Sequence, residues 1–173
     1  MVSQSYLVQR ARAGDRQAFD ALVGPLIEPA YRLACGILID HSAAEDVVQE
    51  AALKAWRKLG NLREGTDLRP WFLAIVANQC RSLRRGRWWS VLKGVERRSI
   101  AAEPDTTDRL DLERGLRRLS ERDRTLLVLH YFHDLPLAEA GAAVGLSPGA
   151  AKSRLYRAVR RLRPEVALLE VNR

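Results

Sequence analysis

Apolar residues recur at spacings of three and four along almost the whole chain, and the alternating Val, Ile and Thr runs that build sheets are absent. A chain with only that period buries its apolar surface by packing helix on helix, so an all-α fold is expected. Gly14-Asp15 can cap a helix running to about Val23, with Phe19, Leu22 and Val23 on one face. Pro25 and Pro29 punctuate the path into a second helix, about Glu28 to Ile39. Ser42-Ala43-Ala44-Glu45 has the capping-box spacing and opens a long helix to about Leu59. Gly60 to Thr66 is a polar loop, after which Asp67 caps a helix through about Arg85, with Pro70 tolerated in its first turn.

The character changes after Gly86. Segment 87–107, RWWSVLKGVERRSIAAEPDTT, has weak periodicity and ends in a Pro/Asp/Thr cluster. At about twenty residues it is long for a loop inside one compact domain and reads as a linker. Helices are expected again over roughly 108–118, 121–132, 136–143 and 148–163, with Ser120 and Ser147 as caps and Pro148 in a first helical position. The expected architecture is two small helical domains, 1–86 and 108–173, joined by the linker 87–107.

Composition narrows the partners. A hydrophobic content of 47% is enough to build cores. A formal net charge of +8 and a pI near 10.2 favour a polyanion, either nucleic acid or an anionic membrane surface. The N-terminus MVSQSYLVQRARAGDRQ has no apolar core of signal-peptide length, and no run approaches the roughly 18 apolar residues of a membrane span. A cytoplasmic protein with no membrane insertion is therefore expected. Cys35 and Cys80 sit inside apolar helical patterns and read as buried free thiols of a reducing compartment. His130 and His133 have a spacing that could pair on a metal, but no third ligand is placed by sequence. There is no phosphate-binding glycine loop, nucleophile motif or Ser/His/Asp grouping. No catalytic residue, metal or cofactor is expected.

The stretch Leu135 to Leu162, LPLAEAGAAVGLSPGAAKSRLYRAVRRL, carries the most specific chemistry. It reads as a short helix, a turn at Gly145 and a second helix. Between Pro148 and Arg163 that helix has Lys152, Arg154, Arg157, Arg160, Arg161 and Arg163 and no acid. That is the pattern of a helix inserted into a DNA major groove. Leu155, Ala158, Val159 and Leu162 form its inward face; Ala140 and Gly141 permit a close approach of the two helices. Lys152, Ser153 and Arg154, in the first turns, are candidates for base edges; Arg157, Arg160 and Arg161 for phosphates. Ser147 lies at the same helix end. Tyr156 either meets a thymine methyl or packs.

Two faces share the helix opened at Ser42. Val48, Ala51, Ala52, Ala55, Trp56 and Leu59 make a core stripe; Asp46, Gln49, Glu50 and Leu53 make a second face that is either a docking surface or solvated. Segment 78–98 carries Arg81, Arg84, Arg85, Arg87, Lys93, Arg97 and Arg98 against Glu96 alone. A cationic groove of this kind, with Asn78 offering both donor and acceptor, suits an unstacked strand. Trp71 and Phe72 either stack on bases or belong to the core.

Three motifs in this order, AEDVVQEAALKAWRKL (Ala44 to Leu59), LRPWFLAIVANQCRSLRR (Leu68 to Arg85) and KSRLYRAVRRL (Lys152 to Leu162), resemble a bacterial RNA polymerase sigma factor of the extracytoplasmic-function (ECF) class. The resemblance covers about 150 residues, the span of two such helical domains. It implies that Asp46, Gln49, Glu50 and Leu53 contact the coiled coil of the polymerase β′ subunit. It implies that Asn61, Trp71, Asn78, Arg81, Arg84 and Arg85 read and melt the minus-ten promoter element, with a base captured at the Gly60–Thr66 loop. It further implies that Ser147, Lys152, Ser153, Arg154, Tyr156, Arg157 and Arg160 read the minus-thirty-five element. The linker would thread through the polymerase, whose β and β′ subunits, with promoter DNA, are the implied partners. An anti-sigma factor is a family-level expectation. The sequence departs from many relatives in having Ala51 and Ala52 where an aromatic is common. Trp88-Trp89 is also unusual; it would dock on polymerase, fold onto the first domain or touch a membrane surface. With no dimerisation element in view, a monomer reading an asymmetric bipartite site is expected. The rivals are a conventional helix-turn-helix regulator and an adaptor whose basic surface binds RNA or an acidic protein.

Overall fold

The computed structural model describes residues 3–92 and 107–171, with side chains over 3–85 and 112–162. Among the described residues every regular element is helical. Helices α1 (Gln4–Arg12), α2 (Arg16–Leu38), α3 (His41–Lys58) and α4 (Leu68–Leu92) make one bundle. Helices α5 (Thr107–Arg118), α6 (Glu121–Leu127), α7 (Leu137–Ala143) and α8 (Pro148–Val171) make another. A 3-10 turn, Leu59–Asn61, follows α3, and α6 runs into a π-helical turn, Val128–Phe132.

Helix α2 departs most from the expectation of two shorter helices: it is continuous, with Pro25 and Pro29 inside it. Each internal proline removes a backbone donor and costs about 3 kcal/mol in isolation. The face that runs through them outweighs this. Phe19, Leu22, Val23, Leu33 and Ile37 are buried where α2 meets its neighbours, and each large apolar side chain gains roughly 1.5–3 kcal/mol. By length and composition α2 is long and apolar enough to cross a membrane, as core helices also can be, and this face lies in the protein core.

Helix starts follow the side-chain oxygens. Asp15 Oδ1 accepts from the Ala18 N–H at 3.1 Å, as expected. At α3 the cap is Asp40, accepting from Ala43 N at 3.0 Å, and Ser42 lies inside the first turn. The reason is the link before it. Ile39 ends α2 in the left-handed region (φ 54), donating to Cys35 O at 2.8 Å, and the chain turns directly into α3. Helix α1 was not anticipated. Ser3 caps it, Val8 and Ala11 bury its inner face, and Arg12 ties it to Leu59 O at 3.2 Å and to Leu62 O. Helix α4 continues past Arg85 to Leu92, across Gly86, whose cost of about 1 kcal/mol does not end a helix. Lys93, Arg97 and Arg98 and the side chains of Arg87, Trp88, Trp89 and Arg163 lie outside the described residues.

The two bundles are packed together. One buried core runs from Leu33 and Phe72 to Leu126, Leu129 and Val144. Gly36 on α2 faces Val128, so closely that a Cβ there would sit 3.2 Å from both valine methyls. Arg117 donates to Ile39 O at 3.4 Å, and Arg81 donates to Ala143 O at 3.4 Å, each crossing from one bundle to the other. Within the second bundle, Gly145 adopts φ 70 at the turn between α7 and α8. A Cβ on Gly141 would meet the Ala151 Cβ at 2.8 Å, so the close approach of α7 and α8 requires glycine.

Candidate functional site

Three surfaces hold the candidate residues. On α3, Asp46, Gln49, Glu50 and Leu53 form one exposed stripe, and Leu53 is 53% exposed. The opposite side, Val48, Ala51, Ala55 and Leu59, is buried; Ala52 and Trp56 are half-buried, Trp56 edge-on to Phe19 at 5.0 Å. Among the described residues, Asp46, Gln49 and Glu50 make no intramolecular hydrogen bond or ion pair. An unpaired acidic and amide stripe around an exposed leucine suits a partner helix with basic and apolar groups.

The second surface joins the loop after α3 to α4. Asn61 is exposed at the end of the 3-10 turn, and Gly65 adopts φ 74. Residues Leu62 to Asp67 wall one side of a cleft of about 620 Å³; Gln4, Val8 and Arg12 of α1 wall the other. Sequence reasoning missed this wall, although Leu7, Val8 and Ala11 carry its helical spacing. Phe72 is fully buried and serves the core; Trp71 is half-buried. Asn78 and Arg85 are exposed, and Arg84 is half-buried. Arg81 is engaged at both ends of its guanidinium. Nη1 donates to Asn78 Oδ1 at 3.2 Å, and Nη2 to Ala143 O. Gln79, buried beneath this surface, accepts from Lys54 Nζ at 2.5 Å and fixes α4 to α3.

The third surface is the first half of α8. Ser147 caps it, accepting from Ala150 N at 3.4 Å. Lys152, Ser153, Tyr156, Arg157, Arg160 and Arg161 are exposed, while Leu155, Ala158 and Leu162 are buried and Val159 is half-buried. Arg154 is separated from its expected companions. Its Nη1 pairs with Asp123 Oδ1 at 2.9 Å, and the other carboxylate oxygen accepts from Ser120 Oγ at 2.6 Å. With the arginine side chain 34% and the aspartate 17% exposed, the pair is largely shielded from solvent and holds Arg154 toward α6.

The remaining titratable groups are structural or unpartnered. His130 Nδ1 bonds Leu135 O at 2.8 Å. His41 Nδ1 meets Tyr31 Oη at 3.0 Å and Cys35 Sγ at 3.4 Å. Burial pushes the Cys80 thiol up to about 12, leaving it inert. His133 is 3% exposed and its Nε2 has no partner within the protein, which costs about 1–3 kcal/mol. Burial, then Arg69, pushes its pKa down to about 4, so the ring is neutral at pH 7. Among the described residues no three His, Cys, Asp or Glu side chains are placed to hold a metal.

Comparison with known proteins places these surfaces in context. Residues 22–90 match the family model described as Sigma-70 region 2, and residues 109–162 match Sigma-70, region 4. The chain is 30% identical over 170 residues to RNA polymerase sigma factor CarQ of Myxococcus xanthus, covering 95% of this chain and 98% of that one. It is 29% identical over 168 residues to the probable RNA polymerase sigma factor RfaY of Xanthomonas campestris pv. campestris, of which it spans 42%. Sigma factor RpoE, solved in complex with the anti-sigma factor NepR from Bartonella quintana, superposes with a TM-score of 0.76 at 29% identity, over 90% of this chain and 98% of that one. CnrH, solved with the cytosolic domain of CnrY, superposes with a TM-score of 0.70 at 28% identity, over 96% and 97%.

Proposed function

Because the chain belongs to the ECF class of the sigma-70 family of RNA polymerase sigma factors, we propose that its three surfaces divide the work of promoter-specific initiation. The α3 stripe of Asp46, Gln49, Glu50 and Leu53 docks on the β′ coiled coil of core polymerase. Asn61, Asn78, Arg81, Arg84 and Arg85 hold the minus-ten element, and the cleft between α1 and the 62–67 loop takes an unstacked base. Lys152 and Ser153 read base edges of the minus-thirty-five element. Arg157 and Arg160 fix its phosphates, and Arg154 joins after leaving Asp123. Trp71 supports the minus-ten surface from a half-buried position. The chain works in the cytoplasm and supplies binding and strand holding; phosphodiester chemistry stays with the polymerase.

One observation carries this reading: a free acidic stripe and two basic surfaces lie on separate elements of one chain. The same reading requires the bundles to part. By their names the two promoter elements lie about 25 base pairs apart, or about 85 Å of duplex. A compact chain of this length is about 40 Å across. The packed arrangement therefore cannot touch both elements at once. Sigma factor RpoE in its anti-sigma complex superposes over both bundles. We infer that an anti-sigma partner holds this chain closed. A pull-down with core polymerase, followed by run-off transcription, tests the function. The expected result is a bound chain and a discrete transcript; a chain that does neither contradicts it.

A further inference from the structure

A cavity of about 270 Å³ lies where the two bundles meet, and neither bundle completes it alone. Cys35 and Ile39 at the end of α2 and His41 at the start of α3 line one side. Leu116 of α5, with Val128 and His133 of the π-turn and its end, line the other. The unpartnered Nε2 described above belongs to His133, a residue that is 3% exposed and is among those lining this cavity. Unsatisfied polar atoms this deeply buried are rare in folded proteins and call for a cause.

Resting on the closed arrangement argued above, we propose that this cavity binds a small, uncharged, mainly apolar molecule carrying one hydroxyl group, seated with that hydroxyl at His133 Nε2. Size admits such a ligand: an apolar cavity of about 150 Å³ already takes benzene. Apolar side chains supply most of the wall, as in ordinary ligand pockets. Charge argues for neutrality. Arg32 at the rim is already paired with Glu28 at 2.8 Å and is largely in water, and the Glu113 carboxylate, the other charge among the lining residues, is itself engaged within the protein. An ion entering here would lose hydration without gaining a dedicated counter-charge. A hydroxyl donates and accepts, so it satisfies His133 in either tautomer.

Because the lining is shared, the ligand's contacts exist only while the bundles are together. A ligand at ten times its dissociation constant would raise the closed-to-open ratio about elevenfold. The site would thus couple a small molecule to the availability of both promoter-reading surfaces.

Phenol and toluene, which share a shape and differ by the hydroxyl, probe the site on the full chain. Titration followed at the His133 ring nitrogens should show phenol binding at least tenfold tighter than toluene, and His133→Phe should erase that preference. A measurement on the unmodified chain guards against a variant that fails to fold. Phenol should slow alkylation of Cys35 by N-ethylmaleimide at least threefold more than equimolar toluene does, read by mass spectrometry, with buried Cys80 unlabelled. Equal binding of the two probes, no binding of either, or equal protection of Cys35 overturns the proposal. These readouts use no polymerase, so their failure leaves the sigma-factor reading intact. Failure of that reading appears only in transcription.

Discussion

The acidic stripe on α3 and the basic surfaces on α4 and α8 differ in how ready they are. Asp46, Gln49, Glu50 and Leu53 stand in solvent without intramolecular partners. On the basic side Arg81 is bonded across the bundle interface to Ala143 O, and Arg154 is paired with Asp123. The proposed docking surface is therefore free in the closed chain, whereas the proposed reading surfaces are partly engaged and too close together. That difference implies an order. On the proposed assignment, polymerase would bind the exposed stripe first, and promoter reading would follow the separation of the bundles. The Arg81 bond across the interface is long and weak, on the order of 1 kcal/mol, so the interface as a whole sets the balance.

The largest effect should come from splitting the two functions. Asp46→Ala with Gln49→Ala should weaken core binding by about 2–4 kcal/mol if both are central contacts, with the urea unfolding midpoint unchanged. Lys152→Ala should leave core binding intact and cost about 1–3 kcal/mol of promoter affinity. Equal loss of core and promoter binding in either variant would erase the distinction.

The interface itself should respond to acid. His133 is depressed to about 4 by burial first, then by Arg69 and Arg32, with Asp134 opposing. A ring held neutral in the folded chain contributes its full stability above the unfolded value near 6.5. That stability is lost as pH falls through the folded value near 4. The loss should approach about 3 kcal/mol between those limits. Chemical denaturation across pH 4 to 7 measures it, and His133→Phe should flatten the slope. The smallest effect is expected from Arg81→Ala. It removes one long hydrogen bond between bundles and should favour opening by about 0.5–1 kcal/mol, visible as a larger radius of gyration by small-angle scattering.

What could be read from the sequence divides along physical lines. The α8 faces were legible because charge and apolar periods lie on one element, and Gly141 and Gly145 because turn and contact both demand glycine. The α3 stripe was legible for the same local reason. The continuity of α2 was not, because proline penalties are local while the compensating burial comes from α3 and α4. Asp40 rather than Ser42 caps α3 because the left-handed Ile39 shortens the link, a conformation no propensity favours for isoleucine. The tether of Arg154 to Asp123, 31 positions away, and the unpartnered His133 depend on tertiary placement and leave no periodic trace.

A covalent lock tests the central claim, that reading the promoter requires the bundles to part. A Cβ at position 36 would lie 3.9 Å from the Val128 Cβ, inside the range of about 3.5–4.5 Å for a disulfide. Gly36→Cys with Val128→Cys, in a Cys35→Ser background, should close the interface on oxidation. The locked chain should still bind core polymerase through α3, yet its run-off transcript should fall at least tenfold and return on reduction. An oxidised, fully cross-linked chain that initiates as well as its reduced form would contradict the account.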